Sequence, residues 1–160
     1  MSSRQEIIRI KVGVRKPFVD VDGNTWLPDK GGFTQGVVAD RDVITPVKGT
    51  RNPALYRSER YGMTAFSWPV PNGDYVIRLH FAEMYPRITG PGQRVFTFNV
   101  EGFEVKDFDI WIAAGGSQCA HIESVQAHIE DGRLDITFTK QIQSPTVNAI
   151  EIVPAALAEK

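Results

Sequence analysis

Cys119 and His121 are the only close pair of residues that suggests nucleophilic catalysis. Such catalysis needs a nucleophile, a base and a residue that orients the base, and no third residue with that role is evident nearby. We therefore interpret Cys119 as a structural or surface cysteine. His80, His121 and His128 lack the spacing of zinc ligands, so the sequence predicts no transition-metal site.

Carboxylate pairs are the next candidates, because glycoside hydrolysis uses two carboxyl groups across a cleft. Asp107 and Asp109 flank Phe108, and Glu59 and Glu83 lie on different segments. Pairs of this kind are common on protein surfaces, and no hydrolase motif accompanies them here. The sequence therefore predicts that the chain is not an enzyme.

Residues 20–24, Asp-Val-Asp-Gly-Asn, place oxygen atoms at alternate positions, as the start of an EF-hand calcium loop does. That loop then requires Gly at its sixth position and Glu at its twelfth, where this chain has Thr25 and Gly31. Two interpretations remain, an irregular structural calcium site and a turn held by Asp and Asn side chains, and the turn is favoured. No other cofactor is predicted.

Aromatic residues beside polar ones are the remaining chemical signal. A sugar ring stacks its C–H faces on aromatic planes while its hydroxyls hydrogen-bond to polar side chains. Residues 56–62, Tyr-Arg-Ser-Glu-Arg-Tyr-Gly, and residues 83–85, Glu-Met-Tyr, have this composition at strand ends. On composition alone, tyrosines that anchor a strand through their hydroxyls are the favoured explanation.

The elements that must position these residues are strands. Apolar and polar residues alternate over residues 8–12 and 75–81, and no window has a convincing helical period of 3.6. About eight strands with frequent turns indicate an all-β sandwich or jelly roll of two antiparallel sheets. Glycine-containing turns predict three pairs of adjacent strands: residues 64–69 with 75–84, 94–100 with 103–105, and 122–129 with 134–138.

Two segments do not fit the strand pattern. Residues 20–50 are rich in Gly, Asp and Pro, and residues 113–117 are Ala-Ala-Gly-Gly-Ser. Long connections within a compact domain are often functional surface, so we expect a site there.

Composition limits the classes of partner. The 160 residues carry 18 basic and 19 acidic side chains without a basic block, which gives no indication of nucleic-acid binding. No apolar run approaches the roughly 18 residues of a membrane span. A single cysteine excludes an internal disulfide, and the polar residues 1–6 do not begin a signal peptide. We predict one domain, residues 1–160, with its core at about 8–153.

Seven short motifs, in order and spacing, resemble malectin and malectin-like carbohydrate-binding modules over nearly the whole chain. They are residues 58–61 (SERY), 70–75 (VPNGDY), 79–85 (LHFAEMY), 94–96 (RVF), 105–110 (VKDFDI), 132–134 (GRL) and 147–152 (VNAIEI). The resemblance implies a galactose-binding-like jelly roll without catalytic activity. It also implies a lumenal or extracytoplasmic parent protein, since relatives bind glycans in the endoplasmic reticulum, accompany bacterial carbohydrate-active enzymes or form plant receptor ectodomains.

The resemblance also implies site residues. Tyr61 and Tyr85 match two family tyrosines, whereas Pro86 replaces a phenylalanine, Gln143 falls near an aspartate and Arg41 falls near a third tyrosine. From the match and the loop compositions we predict a carbohydrate site of six residues: Tyr61 and Tyr85 as ring platforms, Arg60, Glu83 and Gln143 as hydrogen-bonding groups, and Trp26 as an extra wall.

Two functions follow from this prediction. The first is recognition of an oligosaccharide through aromatic loop residues, which the retained tyrosines favour. The second is a module whose sugar site has decayed and whose loops contact a protein partner or a larger parent protein, which the altered positions favour.

Overall fold

The structure is a computed structural model that describes residues 6–158. Short strands dominate it, as the alternating pattern predicts. In chain order they are β1 (Ile8–Lys11), β2 (Phe18–Val19), β3 (Thr25–Pro28), β4 (Phe33–Thr34), β5 (Val37–Asp40), β6 (Ser58–Tyr61), β7 (Ala65–Pro69), β8 (Gly73–Phe81), β9 (Val95–Val100), β10 (Phe103–Phe108), β11 (His121–Ile129), β12 (Arg133–Ile142), β13 (Thr146–Val147) and β14 (Ala149–Pro154). The helical elements are a 3₁₀ turn (Pro53–Tyr56), α1 (Ile110–Ala114) and α2 (Ala155–Ala158).

Two large sheets form the sandwich. The six-stranded sheet has the order β11-β8-β14-β1-β3-β2, and the five-stranded sheet has the order β10-β9-β12-β7-β4. A small sheet, β13-β6-β5, lies beside them. Pairing is antiparallel except between β1 and β3. The predicted all-β sandwich with little helix is confirmed.

Aromatic side chains fill the space between the two large sheets. Phe81 on β8 contacts Phe96 and Phe98 on β9, with ring centroids 6.0 and 5.8 Å apart. Phe108, at the end of β10, packs against Phe81 with ring centroids 4.8 Å apart and the rings tilted by 47°. Each of these rings is buried, and burying one contributes about 1.5–3 kcal/mol to folding. The core therefore holds the two sheets face to face.

Two of the three predicted strand pairs are wrong. β7 pairs with β12, and β8 pairs with β11 and β14, so residues 70–72 cross from one sheet to the other. Residues 130–132 cross back in the same way between β11 and β12. Only β9 and β10 form the predicted hairpin. The glycines mark the turns correctly, but a turn between sheets and a turn within a sheet use similar residues.

The two crossing turns are tied together at one end of the sandwich. The Val70 amide donates to the Gly132 carbonyl at 3.0 Å, and the Gly132 amide donates to the Asn72 side chain at 2.7 Å. Asn72 therefore fixes a neighbouring turn instead of forming a hairpin with Gly73.

Parts of the segment 20–57 cover the outer face of the six-stranded sheet. Trp26, Leu55 and Tyr56 pack there against Ala82 and other small or apolar residues. Consequently β14 is buried on both faces, although it belongs to an antiparallel sheet. Among the described residues, no helix has the length and apolar character needed to cross a membrane.

Candidate functional site

A cavity of about 180 Å³ opens at the end of the sandwich opposite the tied turns, where β8 ends and β7 begins. Its lining comes from five separate parts of the chain: Arg41, Glu59, Tyr61, Tyr85, Arg94, Gln143 and Ser144. We call it the tyrosine pocket, because Tyr61 and Tyr85 are its two aromatic residues.

Strand ends position the two tyrosines. Tyr61 is the last residue of β6 and is 39% exposed. Gly62 follows with φ of +77°, a left-handed conformation that glycine adopts without strain, and its amide donates to the Pro145 carbonyl at 2.9 Å. Tyr85 follows the end of β8, and its carbonyl accepts from the Ile88 amide at 3.1 Å. Both rings are therefore carried on backbone held by hydrogen bonds.

A buried ion pair forms one part of the pocket floor. Arg94 Nε donates to Glu83 Oε1 at 2.7 Å, and the side chains are 4% and 1% exposed. Arg94 Nη1 also donates to the Ser144 carbonyl, and the Tyr85 amide donates to Glu83 Oε2 at 3.3 Å. The pair thus links the segment after β8 to the segment before β13.

A second ion pair lies beside the first. Arg41 Nε and Nη2 both donate to Glu59 Oε1, the first at 3.1 Å. Thr146 Oγ1 donates to the other oxygen, Glu59 Oε2, at 2.7 Å. Glu59 lies two residues before Tyr61 on β6, so the strand places both on the same face.

The floor is electrically balanced, because each of the two glutamates faces one arginine. Burial raises the pKa of Glu83 above its ordinary value, and the nearby Glu59 carboxylate adds to the rise, while Arg94 opposes it. The balanced floor presents several hydrogen-bonding groups without a strong net charge.

Comparisons with known proteins identify the family. A model of the Malectin domain family matches residues 6–152. The chain belongs to the malectin domain family. Its sequence is 33% identical over 135 residues to Malectin-B of Xenopus laevis, a match that covers 78% of this chain and 48% of that protein. The chain thus spans about half the length of the curated relatives it matches.

Solved structures share the fold at low identity. A β-glucuronidase of Bacteroides uniformis superposes with a TM-score of 0.81 at 20% identity, covering 93% of this chain and 18% of that one. The ANXUR2 extracellular domain of Arabidopsis thaliana superposes with a TM-score of 0.78 at 17% identity, covering 91% and 47%. Both comparisons show that the fold is shared.

The structure brings together four of the six residues that were predicted for the carbohydrate site. Tyr61, Tyr85 and Gln143 line the tyrosine pocket, and Glu83 lies beneath it in the ion pair with Arg94. Gln143 is exposed and has φ of +62°. Its side-chain oxygen accepts from the Ser144 amide at 3.3 Å, and its side-chain nitrogen takes no part in that bond.

Arg60 and Trp26 do not line this pocket. Arg60 precedes Tyr61 on the strand and therefore lies on the opposite face, where its guanidinium is 5.1 Å from the Phe33 ring centroid. Trp26 is 3% exposed, and its Nε1 donates to Asp20 Oδ2 at 2.9 Å. The indole is a core side chain of β3, so we correct its assignment as a wall of the site.

The predicted site did not include four lining residues, although the resemblance had placed the first of them near a family tyrosine: Arg41, Glu59, Arg94 and Ser144. The period-two spacing of Glu59 and Tyr61 could have identified Glu59. Arg41 and Arg94 were not identifiable in this way, because their roles depend on partners far away in sequence.

Two of the other chemical candidates, Asp20 and Asp109, have structural roles. Asp20 accepts hydrogen bonds from the amides of Asp22 and Asn24, both at 2.9 Å, as well as from Trp26. Its carboxylate therefore holds the 20–24 turn. Asp109 accepts from the Ile112 amide at 3.3 Å and so caps α1. Among residues 6–158, no group of three or more His, Cys, Asp or Glu side chains is arranged to hold a metal ion.

Proposed function

We propose that this domain binds a carbohydrate in the tyrosine pocket and catalyses no reaction on it. One observation carries the proposal: two aromatic side chains, Tyr61 and Tyr85, line the same cavity as hydrogen-bonding groups of a neutral floor. A sugar needs that combination, because its C–H faces stack on rings and its hydroxyls both donate and accept. Membership of the malectin domain family supports a carbohydrate-binding module.

The size of the pocket favours a single sugar unit within it. Sites for drug-sized ligands have volumes of roughly 300–1,000 Å³. At about 180 Å³, the pocket suits one ring of an oligosaccharide or its terminal residue.

The carboxylates of the pocket support binding over hydrolysis. Glycoside hydrolysis requires one carboxyl group to give a proton and another to attack or to activate water. Glu59 and Glu83 are both engaged by a guanidinium, and both are buried. Held in this way, they serve as fixed acceptors and as anchors for Arg41 and Arg94.

Substitution of each tyrosine tests the proposal. A glycan array identifies the best ligand, and calorimetric titration then compares the unchanged domain with Tyr61→Ala and Tyr85→Ala. Loss of one stacking surface, worth about 1 kcal/mol, should weaken binding roughly fivefold. Phe103→Ala is the matched control, because Phe103 is a 58% exposed aromatic residue outside the pocket.

Two results would overturn the proposal. One is an array without reproducible binding to any glycan. The other is binding that neither tyrosine substitution weakens, together with a large fall in melting temperature, which would show that the tyrosines only anchor strands.

Protein recognition is the second candidate. Val43 and Ile44 lie two and three residues after Arg41 along the chain and are 79% and 80% exposed, an apolar surface that sugar binding does not require. A protein that binds the domain and loses affinity for Val43→Ser but not for Tyr61→Ala would support this candidate.

A further inference from the structure

One edge strand of the sandwich is long and open. β11 forms an edge of the six-stranded sheet and pairs with β8 over all nine of its residues, in an unbroken register. Alternate residues of an edge strand point their backbone N–H and C=O groups away from the sheet. Among residues 6–158, no backbone hydrogen bond outside the β8 ladder involves β11. A row of donors and acceptors about 30 Å long therefore lies along this edge.

The other sheet edges are protected against pairing with another chain. β2, β4 and β13 have two residues each, and β5 has four. β10 has six, but its register with β9 is broken between Val105 and Phe108. Its exposed residues also include three charged side chains, Glu104, Lys106 and Asp107. Short strands, bulges and charges are the features by which soluble proteins prevent edge-to-edge pairing.

β11 is neither short nor bulged, and it carries little charge. It contains no proline, lysine or arginine, and its one carboxylate, on Glu123, is paired with His121 at 2.8 Å. The exposed face of the strand is formed by Ile122, Ser124, Gln126 and His128. Of the edges in the described part of the chain, this one has the length and composition to pair with a further strand.

We propose that β11 pairs with β11 of a second copy of this chain. The two strands run antiparallel about a two-fold axis beside Val125, the middle residue of β11, so that every residue of the strand is paired. The two six-stranded sheets then join into one continuous sheet. Such a pairing is closed, because it uses the open edge of both copies and leaves none for a third.

The strand is self-complementary in this register. Ser124 lies opposite Gln126 of the second copy, and these neutral side chains can hydrogen-bond across an antiparallel pair. Ile122 lies opposite His128 of the second copy, so no like charges face each other on the exposed face. A shift of two residues in either direction keeps the faces but leaves residues at the strand ends unpaired.

The charges at the two ends of β11 favour a second copy over an unrelated strand. Exposed Lys48 is bonded to the chain just before β11, where its amide donates to the Gln118 carbonyl at 2.8 Å and its carbonyl accepts from the Ala120 amide at 2.9 Å. The other end carries three exposed acidic side chains, Asp74, Glu130 and Asp131. Antiparallel pairing of two copies brings the lysine end of each beside the acidic end of the other, and it does so twice.

The pairing also sets the directions of the tyrosine pockets. The two-fold axis is perpendicular to the joined sheet and reverses the strand direction, so β8 ends at opposite ends of the sheet in the two copies. The two pockets therefore face in opposite directions. If the pocket binds a glycan as proposed, one dimer links two separate glycans, but the pairing itself does not depend on that function.

Association of the unchanged domain is the first test. A strand edge buries less surface than a standard interface of about 1,600 Å², so the dimer should form reversibly. Sedimentation velocity from about 1 μM to about 1 mM should show a shift from the mass of one chain to that of two. Hydrogen exchange should become slower in residues 121–129 as concentration rises, and it should not change in β10. A monomer across the whole range, a larger oligomer or protection confined to another strand would overturn the proposal.

Lysines on β11 provide the second test. Ser124→Lys with Gln126→Lys places two pairs of lysines directly opposite each other in the dimer, which should weaken it about tenfold or more. The matched control is Thr137→Lys with Thr139→Lys, which adds the same charge at the same spacing on the exposed face of β12, a strand inside the five-stranded sheet. Thermal melts establish that both variants fold. Equal dimerisation of the two double variants would overturn the proposal.

Charge exchange at the ends is the third test, and it leaves the strand itself unaltered. Lys48→Glu and Glu130→Lys should each weaken the dimer about fivefold, since each places like charges together at two symmetric contacts. The variant that carries both substitutions should recover most of the affinity. A combined variant that dimerises more weakly than either single variant would overturn the proposal, because the two ends would then not meet.

Discussion

Replacing Arg94 with methionine should strongly destabilise the domain at neutral pH. The substitution leaves Glu83, which is buried and 2.7 Å from Arg94 Nε, without its cationic partner, and it also removes the donor to the Ser144 carbonyl. Removing one partner of a buried ion pair costs about 3–5 kcal/mol, against a total stability of roughly 5–15 kcal/mol for a domain. For a chain of this length, that loss lowers the melting temperature by about 6–20 °C.

The cost should depend on pH in a defined direction. Burial already raises the pKa of Glu83, and the loss of Arg94, which opposes that rise, raises it further. The folded variant then binds the Glu83 proton more tightly than the unfolded chain, so its stability falls as pH rises from the unfolded pKa through the folded one. Arg94→Met should therefore be least damaging in acid, where Glu83 is neutral.

Urea unfolding at several values between pH 4.5 and 7.5 measures this effect. Arg51→Met is the matched control, because Arg51 pairs with Asp22 at 2.9 Å on the exposed surface, where such pairs contribute about 0–1 kcal/mol. A loss below about 1 kcal/mol for Arg94→Met at pH 7, or an equal loss across the range, would refute the reasoning, since a buried carboxylate without a partner must cost more than a surface one.

Two further predictions concern the covered face of the six-stranded sheet. Burial raises the pKa of Glu151, but the hydrogen bond and charge of His80 together with the charges of Arg9 and Arg78 outweigh it and hold the pKa below its ordinary value. The stability from ionised Glu151 is therefore present above the unfolded pKa and lost as pH falls. Thermal melts should therefore show Glu151→Gln most destabilised near pH 6–7 and approaching the unchanged domain near pH 3, and a constant difference would contradict this. Asp20→Ala should cost about 1–3 kcal/mol in urea unfolding, because it leaves the buried Trp26 N–H without an acceptor. Asp22→Ala, on the exposed side of the same turn, is the control, and an equal small loss for both would contradict the role of Asp20.

Local sequence patterns predicted the faces of strands well. The alternation over residues 75–81 predicted the buried face of β8, and Phe96 and Phe98 face the core together as expected. These predictions hold because side-chain direction in a strand depends only on its immediate neighbours.

Strand pairing could not be predicted in the same way. The alternation on β7 and β8 is the same whether the two strands pair or face each other across a sandwich, since one face of each is buried in both arrangements. The segment 20–50 concealed β3 and β5 for a similar reason: four residues of strand, partly exposed, leave too short a pattern to recognise.

The candidate site could be assembled only from the sequence and the structure together. Tyr61 and Tyr85 came from the family resemblance, while Glu59 could have come from its spacing to Tyr61. Arg94 required the structure, because it becomes a site residue only through Glu83, which follows β8. The resemblance placed Arg41 near a family tyrosine, but its pairing with Glu59 also required the structure.

The position of the two tyrosines follows from strand direction, even though the predicted pairing of residues 64–69 with residues 75–84 was wrong. A chain that crosses from β7 to β8 by a short turn reverses its direction, whether the turn stays within one sheet or passes between two. The start of β7 and the end of β8 therefore lie at the same end of the sandwich in either case. That end carries the tyrosine pocket, and the crossing turns with their hydrogen bonds to Asn72 and Gly132 lie at the other. Because the turns already brace one end of the sandwich, the loops of the opposite end can carry side chains for binding, provided that something holds them in place. The buried pairs of Arg94 with Glu83 and of Arg41 with Glu59 hold these loops in place. An exposed ring such as Tyr61 therefore lies over a pocket floor that is fixed by ion pairs.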